Sequence, residues 1–207
     1  MGENPSGAYP QITDSTANEC DAYSSGSMTS DDLVSSQLDS GIEFDGSNDI
    51  LVSTYGGPIN DISTAMNISA WINPTSFGEN SVGRVLEGES GSFSGFNLLV
   101  NDNTMSEGLS IQTAFTSANG GWESPDFAIS TGVNQHVSVS MTDITNTATN
   151  PTMYVDGTSV TVSEFNAPSG TYSAGATQTS IGNRGAQDRS FDGTIDEFLG
   201  DAILAVF

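Results

Sequence analysis

Residues 153–162, MYVDGTSVTV, read as a β-hairpin from their chemistry alone. Asp156-Gly157 supplies the two positive-φ positions of a type I′ turn, and Met153, Val155, Val160 and Val162 alternate with polar residues on either side, as half-buried strands do. The segment before it, QHVSVSM at 135–141, sets Val137, Val139 and Met141 on one face and His136, Ser138 and Ser140 on the other. MNISAWINP at 66–74 does the same with Met66, Ile68, Ala70 and Ile72 against Trp71, and stops at Asn73-Pro74 because proline cannot donate to a ladder. Further upstream, GIEFDGSNDILV at 41–52 alternates Ile42 and Phe44, turns at Asp45-Gly46 and resumes with Ile50 and Val52. Phe96, Leu98 and Val100, then Leu109 and Ile111, then Ile181, Phe191 and Ile195 mark further strands. Short strands at this spacing, with turn residues between them and no sustained helical period, predict an all-β antiparallel sandwich.

A chain of 207 residues is long enough for one sizeable core, and one domain is expected. Residues 1–40 are polar and serine-rich, with a short strand expected at Tyr9–Thr13 and a turn of helix over Asp31–Leu38 capped by Ser30. They read as an N-terminal arm or docking extension, and 41–207 as the sandwich. The last residues, Ala202 to Phe207, include Ile203, Leu204, Val206 and Phe207 without a charge, so they are expected to be buried in the sandwich or in a homo-oligomer contact.

Charge excludes several partner classes. Twenty-six Asp and Glu face three basic residues, Arg84, Arg184 and Arg189, for a net charge of −23. A surface of one sign repels phosphate backbones and anionic headgroups, so no nucleic-acid partner is expected. No run is apolar and long enough to span a bilayer, so no membrane insertion is expected either. The acids are spread along the chain, which fits solubility in a salty medium better than one concentrated cation site. Cys20 is the single cysteine, which rules out an intramolecular disulfide and a thiolate metal cluster within one chain. The N-terminal MGENPSGAYPQ lacks a basic region followed by an apolar stretch, hence no secretory leader is read there. The sequon at Asn67-Ile68-Ser69 falls in an expected core strand and is taken as chance.

With these residues laid out, FDGSNDILV, ISAWINP, the His-led valine strand, MYVDG, SIGNR and FDGTIDEF resemble, in that order, the laminin-G-like, concanavalin A-like jelly-roll family from about Gly41 to Leu199. That resemblance implies two stacked antiparallel sheets with variable loops along the concave side, a jelly-roll β-sandwich. The chain departs from the family pattern at Gln135-His136, where a Trp and a His usually precede the valines, and in FLGDAILAVF, which replaces an Arg- and Tyr-rich last strand. The family includes lectins, adhesion modules, phage and bacterial surface proteins and some glycoside hydrolases, so membership does not name a job.

Catalysis is the first chemistry to weigh. Glycoside hydrolysis needs two carboxylates a fixed distance apart, and hydrolases of the family the chain resembles usually carry them as an alternating Glu, Asp, Glu set on one strand. No such triplet occurs, and the adjacent Asp196 and Glu197 point to opposite faces of a strand. The only histidine, His136, sits in a core strand with no nucleophile elbow in the chain, and the resemblance gives it a packing role. The resemblance also implies a structural Ca²⁺ between the early FDG turn and the late IDE strand, whose matching residues are Asp45, Gly46, Asp49 and Asp196. The alternative is that Asp45 only makes its turn and Asp196 only caps a strand end. Sugar binding needs exposed aromatic faces beside amides or carboxylates, and the candidates are Trp122 in NGGWESP and Tyr55 in TYGGP. Trp71 reads as core.

These observations lead to a non-catalytic structural or adhesion protein displayed on an assembly, a virion head decoration or fibre component by preference. Its expected partners are a capsid or other protein scaffold and surface glycans, on a virion or extracellular surface. A calcium-supported carbohydrate-binding module of a secreted bacterial protein is the alternative, and a glycoside hydrolase of the same fold the second alternative.

Overall fold

The computed structural model describes residues 4–6, 11–13, 21–53, 64–90, 92–102, 107–174 and 178–199. Its strands are β1 (Ala22–Ser25), β2 (Leu33–Ser36), β3 (Asp39–Asp45), β4 (Ile50–Ser53), β5 (Met66–Ser76), β6 (Arg84–Ser90), β7 (Ser92–Asn101), β8 (Gly108–Thr113), β9 (Gly120–Glu123), β10 (Gln135–Met141), β11 (Thr152–Val155), β12 (Thr158–Val160), β13 (Ser163–Asn166), β14 (Gln178–Ile181) and β15 (Asp192–Leu199). They form an eight-stranded sheet, β1-β4-β14-β6-β7-β8-β9-β13, and a seven-stranded sheet, β12-β11-β10-β5-β15-β3-β2. Every strand pairing is antiparallel. The chain is thus an all-β two-sheet jelly-roll sandwich, and no helix among the described residues is long and apolar enough to cross a membrane.

The alternation read from the sequence becomes the core. Ile68, Ala70, Ile72, Val137, Val139, Met141, Met153, Val155 and Ile195 pack from the seven-stranded sheet against Leu86, Phe96, Leu98, Val100, Leu109, Ile111 and Ile181 of the eight-stranded one. A strand has side-chain period two, so each inward set leaves an outward set on the opposite face. The 153–162 hairpin forms as expected: Asp156 and Gly157 have φ of 50° and 73°, the mirror-image turn that matches strand twist.

The N-terminal segment departs from its expected form. Over Asp31–Leu38 there is no turn of α-helix: a short 3-10 turn, Ser30–Asp32, is capped by Thr29, whose hydroxyl accepts from the Asp31 N–H. The chain then enters β2, with Leu33 opposite Ile42 and Val34 opposite Gly41. An isolated turn of helix is costly to nucleate, whereas this pairing satisfies the backbone and half-buries Leu33 against the core. β1 likewise pairs with β4, Tyr23 opposite Val52, and Ile12 and Ala22 exchange backbone hydrogen bonds and are fully buried. Residues 22–36 therefore close one edge of each sheet, and a boundary at residue 40 cuts through the sandwich. The expected C-terminal contact of Ile203, Leu204, Val206 and Phe207 lies outside the described residues.

Candidate functional site

Of the residues expected to hold calcium, Asp45, Gly46 and Asp49 share the FDG turn, where the Asp45 N–H donates to Asp49 Oδ2 at 3.1 Å, whereas Asp196 is set apart from them. The register of β15 on β3 sets Asp192 opposite Asp45 and Ile195 opposite Ile42. Asp196 therefore lies four residues along the strand from Asp192, about 13 Å at ~3.3 Å per residue. A register shift between Ile195 and Phe198 turns this stretch toward the β2–β3 hairpin. There the Ser36 hydroxyl and the Leu38 N–H, the latter at 2.8 Å, donate to Asp196 Oδ2, and the side chain is 3% exposed.

At the FDG turn the partner is a serine of the N-terminal segment. The Ser27 hydroxyl lies 3.1 Å from Asp45 Oδ2, 2.9 Å from Asn48 Oδ1 and 2.9 Å from Asp49 Oδ1, and its N–H faces Asn48 and Asp49 as well. Burial works against ionisation of Asp45, but the Ser47 and Asn48 N–H groups and Ser27 outweigh it and hold the carboxyl below its ordinary value. Burial pushes Asp49 up, Ser27 opposes the shift, and the neighbouring Asp45 charge adds to it. Among the described residues no three His, Cys, Asp or Glu side chains converge as a metal-holding group. A calcium ion bridging the FDG and IDE segments through Asp196 does not fit these residues. Asp196→Ala should accordingly lower the melting temperature equally in calcium and in chelator. The loss should be about 1–3 kcal/mol, because two donors from the β2–β3 hairpin lose their acceptor. A calcium-dependent stabilisation that disappears with Asp196 would contradict this.

The two sugar-binding candidates fare differently. Tyr55 lies outside the described residues. Trp122 is not on an exposed loop: it is 1% exposed, stands opposite Ile111 in β9 and donates from Nε1 to Asn150 Oδ1 at 2.9 Å. The glycines that make NGGWESP look like a loop are there for close packing. A Cβ on Gly120 would sit 2.4 Å from the Trp122 ring, and one on Gly121 2.4 Å from the Phe165 ring. Trp122 cannot stack on a sugar from inside the core.

Trp71, read as core, instead stands on the outward face of the seven-stranded sheet and is half-buried. It is opposite His136, with ring centroids 5.4 Å apart at 61°. Tyr154, 37% exposed, is opposite Ser138 on the next strand and so diagonal to His136. Asn67, Ser69, Asn73 and Ser138 share this outward face by strand alternation, and Asn67 of the sequon is exposed, not shut in a core strand. The outward direction of Trp71 was legible in the alternation with Ile68, Ala70 and Ile72; its partial exposure was not.

The outward face of the eight-stranded sheet has a different character. Ser180, Glu87, Asn97 and Gln112 line up across β14, β6, β7 and β8. Glu87 is 1% exposed and takes a hydrogen bond from Arg84 Nε at 2.5 Å; beside it Asn97 is 1% exposed with Oδ1 unpartnered. Burial lowers the pKa of Arg84 and Glu87 pulls it back up. Arg184 pairs with Asp188, and the Arg189 carbonyl accepts from the Arg84 N–H. All three cations of the chain thus gather around the β14–β15 connection.

A family model described as the Concanavalin A-like lectin/glucanases superfamily matches residues 44–199. No sequence match to a curated protein is found. Among solved structures, the chain is similar to the CBM40 module of Ruminococcus gnavus IT-sialidase bound to α2,3-sialyllactose. The TM-score is 0.56 at 14% identity, covering 79% of this chain and 90% of that one. It is also similar to a botulinum neurotoxin type C structure whose cell entry is described as dependent upon interaction with two ganglioside molecules. There the TM-score is 0.60 at 13% identity over 98% of this chain, which spans 47% of the toxin chain. A third is the heptameric SAP-like pentraxin of Limulus polyphemus, at TM-score 0.52 and 15% identity over 79% of this chain and 76% of that one.

Proposed function

The chain belongs to the concanavalin A-like lectin/glucanase superfamily, and from that premise we propose that it is a non-catalytic carbohydrate-binding module that works by adhesion. The saccharide part is supported by the sandwich it shares with a module bound to sialyllactose, 90% of which this chain covers, and with a toxin chain described as interacting with gangliosides. Saccharides of this kind are presented outside cells, so the module acts at a surface or extracellularly.

The non-catalytic part is supported by the lack of an alternating Glu, Asp, Glu triplet in the sequence, together with the engagement of the buried carboxylates. Glycoside hydrolysis takes two carboxyl groups free to exchange protons with, or attack, one glycosidic bond. Among the described residues the buried acids are Asp49, Glu87 and Asp196. Asp49 accepts from Ser27, Glu87 from Arg84, and Asp196 from Ser36 and Leu38. Each serves a different part of the fold. On a printed array of oligosaccharides the purified protein should retain a defined subset, and prolonged incubation with those saccharides should release no new reducing ends. Reducing-end release abolished by Glu87→Gln would overturn the non-catalytic reading in favour of a hydrolase.

A further inference from the structure

The outward face of the seven-stranded sheet carries the chemistry for a ligand that the chain's charge otherwise restricts. Trp71 on β5, His136 on β10 and Tyr154 on β11 place one ring on each of three adjacent strands. Two interstrand spacings span about 10 Å, the scale of a disaccharide lying across the strands. Trp71 and His136 are set edge to face at 5.4 Å, which fixes the indole against its neighbour. The His136 backbone is held on both sides of the hairpin start: its N–H donates to Asp156 Oδ1 at 2.8 Å and its carbonyl accepts from the Asp156 N–H at 2.8 Å. Flanking the rings are the amide of Asn73, two residues along β5 from Trp71, and the hydroxyl of Ser138, opposite Tyr154, neither of them fully buried. A pyranose offers one apolar C–H face for a ring and equatorial hydroxyls for amide and hydroxyl partners, and this mixture suits it.

Charge narrows the ligand. A carboxylated or sulfated sugar is held most strongly by a cation, with arginine the usual partner. This chain has three arginines and no lysine, and all three lie near the β14–β15 connection, none of them on the strands that carry the rings: Arg84 pairs with Glu87, Arg184 with Asp188, and Arg189 donates to the Asp188 carbonyl. A net charge of −23 further repels an anionic glycan. Resting on the carbohydrate-binding reading above, we propose that the Trp71–His136–Tyr154 face binds uncharged saccharides, with Trp71 and Tyr154 as the stacking surfaces.

The test is titration calorimetry and tryptophan fluorescence of the full chain with cellotetraose and lactose as neutral probes and 3′-sialyllactose as the anionic one. Because Trp122 is sealed in the core, a ligand-dependent change in indole emission reports Trp71. A neutral probe should bind, 3′-sialyllactose should bind at least tenfold more weakly, and Trp71→Ala and Tyr154→Ala should each weaken the neutral probe about tenfold or more. Phe165→Ala, on β13 of the other sheet, should leave binding unchanged. Circular dichroism identifies a variant that has lost its fold, and Tyr154→Ala decides the matter if Trp71→Ala has done so. Equal binding of the sialylated probe, or neutral binding that survives both substitutions, overturns this site while leaving the carbohydrate-binding module intact. Failure of the chain to bind any saccharide, on the array as in solution, overturns both.

Discussion

Deletion of residues 1–40 is expected to abolish cooperative folding of the sandwich, leaving a chain without a sharp thermal transition. The deletion strips the edge strand of each sheet, exposing the backbone of β4 and β3, which β1 and β2 cover in the intact protein. It also removes Ile12, fully buried, whose transfer to water costs about 2–3 kcal/mol. Asp49 and Asp196 then lose the donors supplied by Ser27, Ser36 and Leu38, at about 1–3 kcal/mol for each acid left short. Together these losses rival the 5–15 kcal/mol that typically holds a domain folded, before the missing ladder bonds are counted. Ser27→Ala alone, which keeps the strands, should cost about 1–3 kcal/mol. The measurement is thermal unfolding by circular dichroism with light scattering. A truncated chain that melts as sharply and as high as the intact one would mean that residues 1–40 are a separable arm after all.

Arg84→Met should be strongly damaging, by about 3–5 kcal/mol, because it takes the cationic partner at 2.5 Å from the Glu87 carboxylate, which is 1% exposed. For a domain of this size that lowers the melting temperature by about 6–20 °C. The double substitution Arg84→Met with Glu87→Leu should recover most of the loss, since a buried ion pair and a well-packed apolar pair are close in free energy. The cycle reads the coupling directly: single losses that simply add would show that the two side chains act independently.

Much of the fold was legible because a strand reports its environment every second residue. Val137, Val139 and Met141 had to face a core, and Asp156-Gly157 had to turn a hairpin, whatever the remainder of the chain did. The same logic put Trp71 opposite to Ile68 and Ile72. Local pattern failed where one residue type serves two physical ends. Gly120 and Gly121 read as loop flexibility, yet they leave room for the rings of Trp122 and Phe165. Leu33 and Val34 could sit on a turn of helix or in an edge strand, and only the presence of β3 beside them decides between the two.

The candidate sites were harder, since a site is a set of distances between residues far apart in sequence. The resemblance joined Asp45 and Asp196 in one calcium site, but it is the pairing register that puts Asp192 beside Asp45 and sends Asp196 to the β2–β3 hairpin. Nothing in a serine-rich N-terminus marks Ser27 as the group that takes up Asp45, Asn48 and Asp49, because that contact spans 18–22 residues of chain and depends on β1 joining β4. The sequence by itself determined the class of fold, the inward and outward faces of its main strands and the scarcity of cations. Those are properties of single residues and their neighbours. Only the tertiary structure decided which aromatic rings meet solvent, which carboxylates are engaged and where the three arginines gather. Those depend on strand order and register, which long-range packing sets.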